Sequence, residues 1–287
     1  MEQFTIQKYH CMGNDYLIYD PARNKMALGP KAIAKLCDRH FGIGADGVLV
    51  GPCFDNDRLG VKIYNSDGSE APKGGNGMAI FARYLRDHGY VEKNTASFDS
   101  ASGEETVVYE NEQNTRLKVS MGKPTFWSDE IPVTGSRREI INEVMTFGSI
   151  PYVTTCLSLG NPHCVIWMND ISKDLVCRIG QVSETAPYFP EKVNTQLLNV
   201  LDRTNIQIEI FERGAGYTLS SGTCACAAAC AAYRMGLADR NMYVHLPGGT
   251  LQVEISENGE IFMMCDVGYT GEITLSNELC EQLRTLA

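Results

Sequence analysis

Two stretches of this chain combine glycine turns with polar and titratable side chains in the way a small-molecule site needs. Residues 65–77 read NSDGSEAPKGGNG and residues 212–223 read ERGAGYTLSSGT. Each follows an alternating apolar segment, Val61 and Ile63 in the first and Ile208 and Ile210 in the second, and each opens an alanine-rich helix. Strand, glycine loop and helix N-terminus in that order aim unpaired backbone N–H groups at whatever lies in front of them. Such a loop is suited to holding a carboxylate or a phosphate.

The elements that must position these loops recur. A shift of 147 residues carries Gly13-Asn14 onto Gly160-Asn161, Val61 and Ile63 onto Ile208 and Ile210, Gly74-Gly75 onto Ser221-Gly222, and Gly89 onto Gly236. One offset thus covers entry turn, strand, glycine loop and helix end, which predicts two similar halves, each a sheet with a central helix. The expected boundaries are residues 1–121 for the first half, with 268–287 packing on it, and 122–267 for the second. Helices are predicted over 30–40, from 77 to 88 with Gly89 ending it, from about 172, and over 276–286. Residues 122–148, with Pro124, Pro132 and the turn Thr134-Gly135-Ser136, read as a link.

At 287 residues the chain has length enough for two cores, and 44% hydrophobic with 21% charged residues is ordinary for a globular protein. A net charge of −10 argues against nucleic acid or an anionic membrane as partner. No apolar run reaches a membrane span, and MEQFTIQKYH has no signal-peptide core, so a cytoplasmic protein is expected. The eleven cysteines sit mostly in apolar or helical stretches, as reduced thiols do. Cys226 and Cys230 share a helix face, Cys224 points elsewhere and no histidine is near, so no metal site is predicted. GIGADG at 42–47 has the wrong spacing for a dinucleotide fingerprint.

Taken in order, GND at 13–15, GIGADG at 42–47, NSDGSEA at 65–71, GGNG at 74–77, GNPH at 160–163, ERGAG at 212–216, SGT at 221–223 and LPGGTL at 246–251 resemble the diaminopimelate epimerase family over nearly the whole chain. The resemblance implies an α/β (α+β) fold of two pseudo-symmetric domains, each a mostly antiparallel sheet wrapped around a central helix, with the active site between them. It implies inversion of an amino-acid α-carbon without pyridoxal phosphate or other cofactor, by two cysteines on opposite faces of the substrate. It also implies a homodimer, with Tyr269 of GYTG at an interface position.

The family's first catalytic cysteine falls at Gly74 and its second at Ser221. Glycine offers no acid or base, and a serine hydroxyl is a poor base unless another group takes its proton. Lys73, Tyr217 in place of a glutamate of the GAGET pattern, and Cys224 in place of a glycine are further departures, and together they read as natural divergence. The recognition positions survive: by resemblance Asn65, Asn161, Asn194 and Arg213 hold the distal groups of the substrate, Asn14 and His163 also match, Gly75-Asn76 and Gly222-Thr223 hold the α-carboxylate, and Glu212 binds the amine or supports a base. Glu212, His163, Ser221, Lys73, Tyr217 and Cys224 are the groups that could replace the lost thiols, with Ser221 also suited to a helix N-cap and Cys224 to packing. Two functions remain open on these residues. One is an isomerase-like enzyme acting on an amino acid or related carboxylate through rearranged acid–base groups, by one-base transfer, double-bond shift, elimination or cyclisation. The other is a non-catalytic amino-acid-binding or regulatory paralogue.

Overall fold

The computed structural model describes residues 4–55, 58–71 and 74–286. Its elements run β1 (Thr5–Cys11), β2 (Asn14–Tyr19), α1 (Pro30–Cys37), β3 (Gly47–Asp55), β4 (Arg58–Asn65), β5 (Glu70–Ala71), α2 (Gly75–Asp87), β6 (Thr95–Ser100), β7 (Gly103–Tyr109) and β8 (Arg116–Gly122). There follow β9 (Glu143–Phe147), β10 (Ile150–Ser158), β11 (Pro162–Trp167), α3 (Lys173–Ser183), β12 (Asn194–Asp202), β13 (Asn205–Glu212), β14 (Gly216–Tyr217), α4 (Gly222–Arg234), β15 (Asn241–Leu246), β16 (Gly249–Ile255), β17 (Ile261–Thr274) and α5 (Asn277–Leu286). The chain forms two compact units, Met1–Val119 with Cys265–Ala287, and Ser120–Met264.

In the first unit β1 pairs antiparallel with β17 and β2, β2 parallel with β3, β3 antiparallel with β4, β4 parallel with β6, and β6 and β7 continue antiparallel to β8. The second unit repeats that order: β9, β10 and β11 antiparallel, β11 parallel with β12, β12 antiparallel with β13, β13 parallel with β15, then β16 and β17 antiparallel. In both, the two parallel steps are the ones bridged by a helix, as a same-direction return requires. β3 and β12, β4 and β13, and α2 and α4 begin and end at the same offset of 147 residues. Gly89 and Gly236, past the two helix ends, both hold positive φ, a conformation glycine adopts without a Cβ penalty.

The central helices are buried almost all round. α2 buries all but three of its thirteen residues and α4 all but Tyr233 and Arg234, and a helix can be enclosed on every side only if its residues are small or apolar, as in GTCACAAACAA. The other sheet face of the first unit is covered by α1 and α5, with Ile33, Leu36, Cys280 and Leu283 against Leu17, Tyr19 and Val48. In the second unit α3 plays that part, packing Val176 and Ile179 against Ile166, Leu197 and Phe211. Among the described residues no helix is long and apolar enough to cross a membrane.

Two local expectations are corrected. The helix predicted to reach residue 40 stops at Cys37, because the Asp38 carboxylate accepts the His40 and Phe41 amides at 2.8 and 2.9 Å and turns the chain. Residues 122–148 are not a bare link: Ile131, Val133 and Ile140 are buried in the second unit's core, and Thr125 bridges to Ser158.

Candidate functional site

In the first unit, β2 and the head of α2 bring the site residues together. Asn14 and Tyr16 leave β2 on the same face, since strand side chains alternate. Asn76, in the first turn of α2, donates from Nδ2 to Asn14 Oδ1 at 3.2 Å, and Asn14 donates from Nδ2 to Asp46 Oδ2 at 2.9 Å. Arg39 grips Asp15 at 2.7 Å and Asp46 at 2.8 Å, and Lys8 reaches Asp15 at 2.8 Å. Burial pushes the Asp15 carboxyl up, but hydrogen bonds and charge from Arg39 and Lys8 outweigh it and the net shift is downward. The GIGADG segment therefore serves as the anchor of the GND turn.

The α2 N-cap is Gly74, half-buried and extended at φ −155°, with no side chain to cap the helix. Among the described residues other than its chain neighbours, a Cβ there would come within 4 Å of the Tyr16 hydroxyl alone, at 3.9 Å. Asn65 closes its own loop, donating from Nδ2 to Ser69 Oγ at 3.0 Å. Lys73 lies outside the described residues.

In the second unit, β11, β12 and β13 present polar side chains to α4. Asn194 is held at both ends of its amide: Nδ2 donates to the Pro162 carbonyl at 2.9 Å and Oδ1 accepts the Arg213 amide at 3.0 Å. The Arg213 side chain donates to the Glu191 carbonyl at 3.0 Å. His163 is wholly buried, with Nε2 2.8 Å from Asn161 Oδ1 and Nδ1 3.2 Å from Gln196 Nε2. The Gln196 amide donates to Nδ1, which leaves the ring proton on Nε2 for Asn161.

Burial, reinforced by the Arg213 charge, pushes the His163 pKa down to about 3. With both ring nitrogens engaged by Asn161 and Gln196, the imidazole is held in place and its cation is disfavoured.

At the head of α4, Ser221 is the N-cap and its Oγ accepts the Cys224 amide at 3.5 Å, beside the Thr223 hydroxyl at 3.4 Å. Glu212 accepts the Thr218 hydroxyl on Oε1 at 2.6 Å. The Cys224 thiol is buried among Glu212, Ser221, Gln196 and Thr223, and burial first, then the Glu212 charge, holds its pKa well above the ordinary thiol value. It is a packed thiol at neutral pH.

Tyr217 stands apart from the residues at the head of α4. It pairs with Phe211 in register, so it lies on the sheet face that α3 covers, while Glu212 faces α4. Glu209 lies near its hydroxyl, and Lys173 of α3 lies 4.7 Å from its ring centroid. Burial, then Glu209, raises its pKa to about 12. Two residues with a place in these clusters were not singled out in the sequence, Tyr16 and Gln196. Each stands two positions beyond a recognised asparagine, Asn14 or Asn194, on the same strand face, and period-two spacing was the available signal.

The sequence profile described as diaminopimelate epimerase matches residues 6–127 and 155–270. The chain is 42% identical over 273 residues to a protein named diaminopimelate epimerase 2 from Nostoc sp. strain PCC 7120, covering 95% of both chains. It is 35% identical over 265 residues to the diaminopimelate epimerase of Leptospira biflexa serovar Patoc, covering 91% of this chain and 95% of that one. Its fold matches a crystal structure of a hydroxyproline epimerase from Agrobacterium vitis with TM-score 0.68 at 11% identity, covering 97% of this chain and 94% of the other.

Proposed function

Because the chain belongs to the diaminopimelate epimerase family, we propose that it is a pyridoxal-phosphate-independent, isomerase-type enzyme that moves a proton on an amino acid or related carboxylate, with chemistry altered where Gly74 and Ser221 occupy the family's cysteine positions. One observation carries the reading. Each unit repeats the same strand, glycine loop and thirteen-residue buried helix, so each offers a helix N-terminus lined by polar side chains.

Removing a proton beside a carboxylate places negative charge on the carboxylate oxygens. Amide N–H groups held rigidly at a helix N-terminus stabilise that charge without reorganising. In this reading Gly75-Asn76 and Gly222-Thr223 hold the carboxylate, while Asn14, Asn65, Asn161, Asn194 and Arg213 recognise the rest of the substrate. Glu212 and Ser221 serve proton transfer in the second unit, with His163 as a positioning residue. The protein works in the cytoplasm as a homodimer that includes the face around the half-exposed Tyr269, with neither nucleic acid nor membrane as partner.

The test is proton NMR in deuterated water with LL-diaminopimelate and a panel of other amino acids. Loss of an α-proton signal is expected with at least one of them. A second reading, a non-catalytic amino-acid binder, is favoured by the absence of any side chain at Gly74. Thermal stabilisation by a ligand with no exchange from any member of the panel would select it.

A further inference from the structure

We propose that Tyr16 is the acid–base group of the first unit, its phenol performing the proton transfer that Gly74 cannot. The inference rests on the isomerase reading above and supplies one of the groups that reading lacks.

The position of the ring is fixed by glycines. A Cβ at Gly47 would lie 2.6 Å from Tyr16 Cε1 and 2.4 Å from the Tyr64 carbonyl oxygen, so the ring fits beside β3 only because residue 47 has no side chain. A Cβ at Gly77, one position short of a full turn into α2, would touch Cζ at 3.8 Å. At Gly74, among the described residues and leaving its chain neighbours aside, it would touch the hydroxyl at 3.9 Å. The ring therefore runs under the first turn of α2 with its hydroxyl at the N-cap.

A thiol at residue 74 would be one bond from that Cβ, so the phenol oxygen is in reach of the place a cysteine sulfur would serve. Asn14, on the same face of β2, touches Asn76 in that turn, so the tyrosine shares a strand face with a group that contacts the helix head. Tyr16 is only partly buried, whereas its strand neighbours Asp15, Leu17, Ile18 and Tyr19 are buried.

The step balances without a further reactant. The phenolate oxygen takes the proton from the α-carbon: the C–H bond breaks, the O–H bond forms, and the electron pair delocalises into the carboxylate held by the α2 amides. In reverse, the pair on carbon takes the phenol proton, and the oxygen keeps the O–H electrons as phenolate.

The experiment compares the native chain with Tyr16→Phe and with Tyr16→Phe/Gly74→Cys, reading α-proton exchange by NMR in deuterated water with LL-diaminopimelate and the amino-acid panel. Tyr16→Phe is expected to lower exchange by about a hundredfold or more, with ligand-induced thermal stabilisation retained. Gly74→Cys is expected to restore exchange to the Phe variant, and iodoacetamide then abolishes the restored rate. Site-specific difluorotyrosine at position 16, which preserves shape, shifts the pH profile of exchange to lower pH, a readout that packing alone would not move. Exchange in Tyr16→Phe within a few-fold of native, or an unshifted profile, overturns the tyrosine while leaving the isomerase reading in place. Absence of exchange in the native chain with every probe overturns both.

Discussion

His163 shows how a residue's role follows from its surroundings. A histidine in a GNPH turn suggests a proton carrier, yet this one is enclosed, receives a hydrogen bond from Gln196 and gives one to Asn161. The folded pKa is about 3, well below the ordinary histidine value. As pH falls from about 6.5 toward 3, the unfolded chain takes up a proton that the folded chain refuses, so the stabilisation present above about 6.5 is lost across that window. His163→Gln, which removes the titrating group and keeps an amide to reach Asn161, is expected to flatten the fall in stability by up to about 1.4 kcal/mol per pH unit within the window. Denaturant unfolding of both proteins from pH 4 to pH 8 reads the difference directly, and parallel curves would refute the assignment.

At the scale of elements, the two central helices differ at their heads. Both start from an extended N-cap, but Ser221 caps α4 with its side chain while Gly74 gives α2 none. Ser221→Ala is expected to lower stability by about 1 kcal/mol, measured as a drop in the thermal midpoint, with the 3.5 Å bond to the Cys224 amide placing the value at the weaker end of the range. The start of α4 and its cap were readable in the sequence because a serine before a small-residue helix is a local signal. The early end of α1 was not, since it depends on the Asp38 carboxylate capturing amides two and three residues on. Nor was the burial of Ile131, Val133 and Ile140, because a proline- and glycine-punctuated segment gives no periodicity from which to infer a core.

Across the whole molecule, the two-thiol chemistry implied by the family resemblance would call for one cysteine from each repeat, at the positions of Gly74 and Ser221 in the reading proposed above. Restoring both is therefore expected to do more than restoring either. Gly74→Cys/Ser221→Cys should interconvert LL- and meso-diaminopimelate at a measurable rate, with each single variant at least about a hundredfold slower, followed by chiral chromatography of the products. Equal rates for the double variant and either single variant would refute a paired-thiol cradle. Gly74 has ordinary extended backbone, and among the described residues a Cβ there would make an ordinary contact, at 3.9 Å, with the Tyr16 hydroxyl.

The sequence by itself determined the family, the repeat and the two glycine loops, because each is carried by residue types at fixed spacing along the chain and needs no knowledge of what lies across the sheet. Only the tertiary structure decided which of the chemical candidates stand together. Tyr217 and Glu212 are five residues apart yet on opposite faces of a sheet, because strand alternation and register send one toward α3 and the other toward α4. Tyr16 and Gly74 are 58 residues apart yet meet at one helix head, because β2 lies beside β3 and the side-chain-free Gly47 leaves the ring its passage. Contacts of that kind arise from packing between distant segments, which no local pattern encodes.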